Sequence, residues 1–407
     1  MADLRVVTIA PYVPYADMPH AGGAYLYRYL TAIADKVDVT LIAPTPESEH
    51  ASPPAGVAVH RVIVPQEPRS SLHRRVGNAR NFRVGLTPGW QVLRAFRADA
   101  AVRDLVSSAD VIDIQWGHML PLIGQWDHLG LRLPPIAALS HDVVSQSFER
   151  RANNAGPFRR RLFGSLTRRV AAQEAHWLNR CGRVRVFSDK DRALLQSLGV
   201  LTPIDVIDPD LTEPPVVPPA GRSGPVAFVG ALWRPENVDG VAWFCREIWP
   251  RVLAQLPSAR LVVTGANPPR ELEALTAAPS IEVHGFVPDL GPAYAEAAVF
   301  VVPLRMGAGL KFKVPQAMLY NLPVVTTTVG AEGIVEETGE GLFGAVTDDP
   351  RQFAAAVVRC LTDRPLATKL ATEGRSWASE KFSFDHSVDL QIQTLERLAA
   401  ERRSATV

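Results

Sequence analysis

Short apolar runs alternate along the whole chain with longer segments whose apolar residues recur every three or four positions. In the first half the runs Arg5–Ala10, Asp38–Ala43, Val57–Val64, Asp110–Gln115, Ile136–Ser140, Arg183–Phe187 and Ile204–Ile207 predict strands. The segments Ala24–Lys36, Gln91–Val106 and a long one within Phe158–Asn179 predict helices between them. Strand–helix alternation of this kind predicts parallel sheets covered by helices on both faces.

The rhythm breaks once. Asp208–Gly224 reads DPDLTEPPVVPPAGRSG, and its prolines suit no regular element, so it reads as an interdomain linker. Beyond it the alternation resumes. Strands are predicted at Val226–Val229, Leu261–Thr264, Ile281–Val283, Val299–Val302 and Val324–Thr327. Helices are predicted near Val238–Leu256, Arg270–Ala278, Leu310–Leu319 and Pro350–Leu361. The expected division is a first α/β domain over residues 1–208, a linker over 209–224 and a second α/β domain over 225–380. A helix over 381–407 completes the chain and is free to cross back to the first domain. Ligands of such sheets bind at the carboxyl ends of strands, so two of them facing each other would form a cleft.

Composition narrows the function classes. With 43 basic and 42 acidic residues the net charge is +1, which argues against bulk nucleic-acid binding. Cys181, Cys245 and Cys360 lie far apart, fit no metal or redox spacing and are expected to be reduced and buried. The opening MADLRVVTIAPYVP reads as a strand rather than a signal peptide, and no apolar run approaches roughly 20 residues. A cytoplasmic location is therefore expected.

The densest chemistry lies in VPLRMGAGLKFKVPQAMLYNLPVVTTTVGAEGI, Val302–Ile334. Arg305 follows a strand, then the small-residue turn Gly307–Ala308–Gly309, then Leu310, Lys311, Phe312 and Lys313 open a helical pattern. Small residues let backbone approach a ligand closely. Lysine belongs at the other end of a helix, so Lys311 and Lys313 here cost a few tenths of a kcal/mol unless an anion offsets them. Arg305 adds a fork that matches phosphate oxygens. A solvated turn is the plain alternative; a phosphate site is the sharper one. Gly230, with Asn237 near the next helix start, and Gly22–Gly23 make further strand-to-helix turns, each a weak signal alone.

The stretch FVGALWRPENVDGVAWFCREIWPRVLAQLPSARLVVTG, followed by VHGFVPDLGPAYAEAAVFVVPLRMGAGLKFKVPQAMLYNLPVVTTTVGAEGI, strongly resembles the donor-binding half of glycosyltransferase family 4, in a GAGLKxK subgroup. The resemblance is specific over Val226–Ile334 and looser through Gly22–Gly23, SHDVVSQSFERR and FSDKDRALLQSLG. It implies a GT-B fold of two Rossmann-like parallel-sheet domains facing across a cleft. It also implies a retaining transfer of a hexosyl group from a nucleotide-diphosphate sugar to a hydroxyl acceptor. The nucleotide sugar would be a co-substrate, with no metal and no other cofactor.

Carried onto this chain, the resemblance places His141 near the reacting sugar and Gly22 and Gly23 against donor or acceptor. Arg305 and Lys311 would hold the diphosphate, with Gly230, Asn237, Gly307, Gly309 and Leu310 around it and Lys313 beside them. Gly330, Ala331 and Glu332 fall in the loop after the last donor-domain strand. Asn237 stands where many relatives carry a phosphate-contacting lysine. The paired glutamates of many relatives are Ala308 and Gln316 here, and a common arginine is Ala231. These departures keep a second reading open, a non-catalytic homologue that binds sugar nucleotides or serves as a partner subunit. His118 and His20 are rivals to His141, and Asp142 either orients the His141 ring or caps the next helix. The aspartates Asp348–Asp349 read as a helix cap and Asp208–Asp210 as linker, not as a metal pair.

FERRANNAGPFRRRLFGSLTRRV carries seven arginines between Arg150 and Arg169. It reads as a solvated helix face, as a site for an acidic acceptor, or as a peripheral contact with anionic headgroups through Leu162, Phe163 and Leu166. Oligomeric state leaves no mark in the sequence.

Overall fold

In the computed structural model the residues described are 4–16, 18, 21–46, 52–64, 85–153, 157–209, 211, 214–382 and 384–406. The contacts divide the chain into two compact units. One holds Met1–Met18, Gly22–Ile207 and Asp385–Val407, the other Pro19–Ala21 and Asp208–Phe384.

The first unit carries β1 (Arg5–Ile9), β2 (Asp38–Pro46), β3 (Ala58–Val64), β4 (Val111–Gln115), β5 (Ile136–Ser140), β6 (Arg183–Val186) and β7 (Ile204–Val206). They form one parallel sheet in the order β3-β2-β1-β4-β5-β6-β7. Every residue of β4 and of β5 is buried, as a sheet covered on both faces requires. The strand order reverses between β1 and β4, and a crevice opens at the carboxyl ends of strands at such a point.

The second unit repeats the plan with β8 (Val226–Val229), β9 (Leu261–Thr264), β10 (Ile281–His284), β11 (Val299–Val302), β12 (Val324–Thr326) and β13 (Ala345–Val346). All pairs are parallel, and the order β10-β9-β8-β11-β12-β13 reverses between β8 and β11. Phe228, Trp249, Val252 and Phe353 pack one face of this sheet. Phe300, Val302, Met318 and Leu319 pack the other. All three cysteines are buried and unpaired.

Several elements differ from the sequence expectation, each for a local reason. The single helix expected over Gln91–Val106 is two, Trp90–Ala98 and Ala100–Ser108, because Asp99 takes an extended backbone and caps the second through the Val102 amide. The helix expected over Val238–Leu256 runs Pro235–Trp243, then a π-helical turn at Phe244–Ile248, then Trp249–Leu253. Pro250 has no N–H to give the preceding turn, which widens there. The helix expected from Leu310 begins at Lys313, because Gly307 and Gly309 hold positive φ values of 118° and 70° before it. Strand β13, two residues long, and the helices Val144–Asn153 and Arg364–Lys381 had no counterpart in the periodicity.

The arginine-rich stretch spans the helices Val144–Asn153 and Pro157–Leu178. Leu166 is buried beside Leu86 and Val170, with Phe163 packed on them, so these two apolar residues face a core. The side chains of Leu162 and of most residues between Arg151 and Arg160 lie outside what is described, as do residues 154–156, His20 and Asp210. Among the described residues no helix is long and apolar enough to cross a membrane.

Candidate functional site

Each sheet places its predicted site residues at its own reversal point. In the first unit β4 reads VIDIQ, and its aspartate and glutamine are fully buried. The next residue, Trp116, has φ +71°, a strained value for a large side chain. His141 follows β5 directly, and its ring stacks on the Trp116 indole with centroids 3.7 Å apart and planes 2° apart. The edges of Tyr25 and Phe187 close on the ring at 5.4 and 5.3 Å. Gly22 and Gly23 open the helix Ala21–Ala34 that carries Tyr25 and Tyr29.

Below the ring lies a buried polar network. His141 Nε2 is 3.1 Å from Gln115 Oε1. Gln115 Nε2 donates to Asp113 Oδ2 at 2.8 Å, and Tyr29 OH donates to the same oxygen at 2.9 Å. The Arg185 guanidinium pairs with Asp113 Oδ1. Gln391, from the helix Phe384–Thr406, accepts from Arg185 Nη1 at 3.2 Å and from Tyr25 OH at 3.1 Å. Burial opposes the Arg185 charge, but Asp113, Tyr29 and Tyr25 together outweigh it and hold the guanidinium above its ordinary pKa. Burial lowers His141 well below the usual histidine value, and the charges of Arg185 and His118 lower it further. His118, in the 3₁₀ turn Gly117–Met119 after β4, is pushed down to about 4 by burial. Both rings are neutral at pH 7.

Asp142 follows His141, but the cap of the helix Val144–Asn153 comes from Glu174. Its carboxylate accepts from the Val144 amide at 2.8 Å, the Ser145 amide at 3.2 Å and Ser145 Oγ at 2.7 Å. Burial raises Glu174 to about 7 despite those bonds. Glu174, one helix further on, is not marked by any pattern in the sequence.

In the second unit Gly230 ends β8, and Lys313 opens the helix Lys313–Leu319 beyond β11. The reversal brings them together. A Cβ on Gly230 would lie 2.5 Å from Lys313 Nζ and 3.2 Å from Asn237 Nδ2, so a side chain there would push the ammonium from its place. Lys313 Nζ donates to Asn237 Oδ1 at 2.9 Å and sits 4.1 Å from the centre of the Phe228 ring. Both contacting groups are neutral. Burial lowers this ammonium to about 7, with Glu236 raising it and Arg234 and Lys311 lowering it.

The other two cations take different partners. Lys311, 8% exposed, reaches the Gly309 carbonyl at 2.6 Å and Glu332 Oε2 at 3.2 Å. Arg305 forks onto Asp239 at 3.0 and 2.5 Å and lies 5.4 Å from the Trp243 ring, on a groove of about 590 Å³. Ala308 stands half-buried between Gly307 and buried Gly309, Leu310 packs on the core, and Gln316 lies one turn into the helix. Asp349 caps the helix Pro350–Thr362 through the Arg351 and Gln352 amides. Among the described residues no group of three or more His, Cys, Asp or Glu side chains could hold a metal ion.

Residues 224–363, which hold Gly230, Asn237, Arg305, Lys311 and Lys313, match the family model for glycosyl transferases group 1. This domain is similar to that family. A curated relative matches a stretch of comparable length. An uncharacterized 44.6 kDa protein in the cps region of Klebsiella pneumoniae is 30% identical over 141 residues, 33% of this chain and 36% of that protein. The match thus spans about a third of the relative. Around the glycosyl transferase domain the whole chain follows solved structures. It is similar to sucrose-phosphate synthase from Thermosynechococcus elongatus with a TM-score of 0.73 at 16% identity, over 98% of this chain and 100% of that one. It is similar to Anabaena HepE in complex with UDP and glucose with a TM-score of 0.62 at 14% identity, over 97% and 99%. The fold is GT-B, two Rossmann-like parallel-sheet domains.

Proposed function

We propose that the protein moves a hexosyl group from a nucleotide-diphosphate sugar to a hydroxyl acceptor, with retention and without a metal. The observation that carries this reading is the gathering of Gly230, Asn237 and Lys313 at the β8/β11 reversal, with Lys311 two residues away. A lysine whose direct contacts among the described residues are the Asn237 amide and the Phe228 ring, beside a glycine that leaves its ammonium open, suits an incoming phosphate. Fixed cations there stabilise the charge that grows on a leaving diphosphate. UDP in the HepE complex supports a uridine donor among the candidates. The nucleotide sugar is the only co-substrate the reading requires.

A thermal-shift screen of UDP-, GDP-, ADP- and dTDP-sugars identifies the donor. Turnover with EDTA present, and the anomer of the product by NMR, then test the mechanism. Binding without transfer or hydrolysis of any donor would favour the non-catalytic reading, which the Arg305–Asp239 pairing also suits.

His141→Ala is expected to lower turnover about 10- to 100-fold, the worth of one well-placed polar contact, with nucleotide affinity nearly unchanged. A wild-type rate would move the role to His118.

Lys313 sets a pH signature. Its folded pKa, about 7, lies below the ordinary lysine value, so at pH 8 it is mostly neutral in the free protein. A bound diphosphate favours the charged form and draws in a proton. Calorimetry of UDP binding at pH 8, in buffers of different ionisation enthalpy, is expected to show proton uptake that Lys313→Met abolishes. Uptake equal in both proteins would remove Lys313 from the site.

A further inference from the structure

The network under His141 dictates which ring nitrogen carries the hydrogen. Asp113 and Gln115 lie two apart on β4, so their side chains leave the same face of the strand. The nitrogen end of the Gln115 amide is 2.8 Å from Asp113 Oδ2. An ionised carboxylate only accepts, so this end is the NH₂ group. The amide oxygen therefore points at His141 Nε2, 3.1 Å away. An oxygen acceptor calls for a hydrogen on that nitrogen, and a neutral imidazole carries only one. Nδ1 keeps its lone pair.

The aspartate that starts this chain of orientations is itself fixed. Arg185 and Tyr29 bind it, and Gln391 holds Arg185 from the far helix. Trp116 beneath the ring, and the edges of Tyr25 and Phe187, resist rotation of the imidazole.

We propose that Gln115, oriented by Asp113, is a positioning residue that fixes His141 in the Nε2–H tautomer, so that the ring meets its ligand as an acceptor and selects a hydroxyl that donates to Nδ1. The tautomer stands on the network alone; its use in selecting a hydroxyl rests on the reading of His141 as the residue beside the reacting sugar. The consequence is specific. A ligand whose matching hydroxyl is replaced by fluorine or a methoxy group offers Nδ1 no hydrogen.

The test is ¹⁵N-histidine labelling of the full chain, with two-bond ¹H–¹⁵N correlation and His141→Gln to assign the signals. In the wild type His141 Nδ1 is expected in the unprotonated range and Nε2 in the protonated range. Gln115→Met removes the amide, and both nitrogens then move to intermediate shifts as the tautomers exchange. Gln115→Asn, whose shorter amide cannot reach the ring, gives the same result if the methionine variant fails to fold. Circular dichroism and melting establish the fold of each. A wild-type hydrogen on Nδ1, or wild-type shifts in a folded Gln115 variant, overturns the proposal. If no nucleotide sugar is turned over but the shifts change as expected, the tautomer control stands and the transferase reading falls.

Discussion

Replacing Arg185 with leucine is expected to cost the first domain about 3–5 kcal/mol, the largest stability loss of any single change considered. Arg185 and Asp113 are both fully buried, on β6 and on the central strand β4 of a seven-stranded sheet. Without the guanidinium, Asp113 keeps only Tyr29 and Gln115, two neutral donors, against the cost of a charge far from water. Removing one partner is worse than removing both, because the pair repays its own desolvation only while intact. Arg185→Met combined with Asp113→Leu should therefore recover much of the loss. Hydrogen exchange at the amides of β4, β5 and β6 reads this domain without assuming that the whole chain unfolds in one step. Wild-type protection in Arg185→Leu would show that the pair contributes little.

Lys311→Ala is expected to weaken binding of a nucleoside diphosphate about 10- to 100-fold, as the loss of a charged hydrogen bond worth about 1.5–3 kcal/mol implies. Two effects add. The cation itself is lost, and so is its bond to the Gly309 carbonyl, which holds the turn that Gly307 and Gly309 shape. Glu332 is then left without its ammonium partner, and its charge opposes an incoming phosphate. Glu332→Gln isolates the part of the carboxylate from these two effects, since it keeps Lys311 and removes the competing charge; affinity there should hold or rise. Calorimetry with UDP checks both variants. Wild-type affinity in both Lys311→Ala and Arg305→Ala would refute the diphosphate site.

The fold was largely legible because its signal is local. Most strands are short runs rich in Val, Ile, Leu or Phe, glycine follows several of them, and the proline-rich stretch begins where the second unit does, at Asp208. Element edges failed where one residue overrode periodicity, as Asp99, Pro250 and the Gly307–Gly309 turn each did. The cations of the second domain were legible as residues but not as partners. Lys313 and Asn237 are 76 positions apart, and only the strand order brings them into contact. The same holds for His141 and Gln115, 26 apart, and for Arg185 and Gln391, 206 apart. A signal was present even so. VIDIQ places an aspartate, and RVRV two arginines, in strands that are otherwise mostly apolar, and opposite charges in two such strands point to a pair.

Gln391 reaches Arg185 from a stretch of polypeptide that the ribosome makes only after Asp208–Phe384. The amino-terminal half therefore cannot finish its own interior as it emerges, although domains ordinarily fold in order of synthesis. Until that stretch arrives, Tyr25 OH and one guanidinium nitrogen wait without their amide oxygen. Maturation of the histidine pocket is thus deferred to the close of translation, and a nascent chain stalled in the second sheet would carry an unfinished first one.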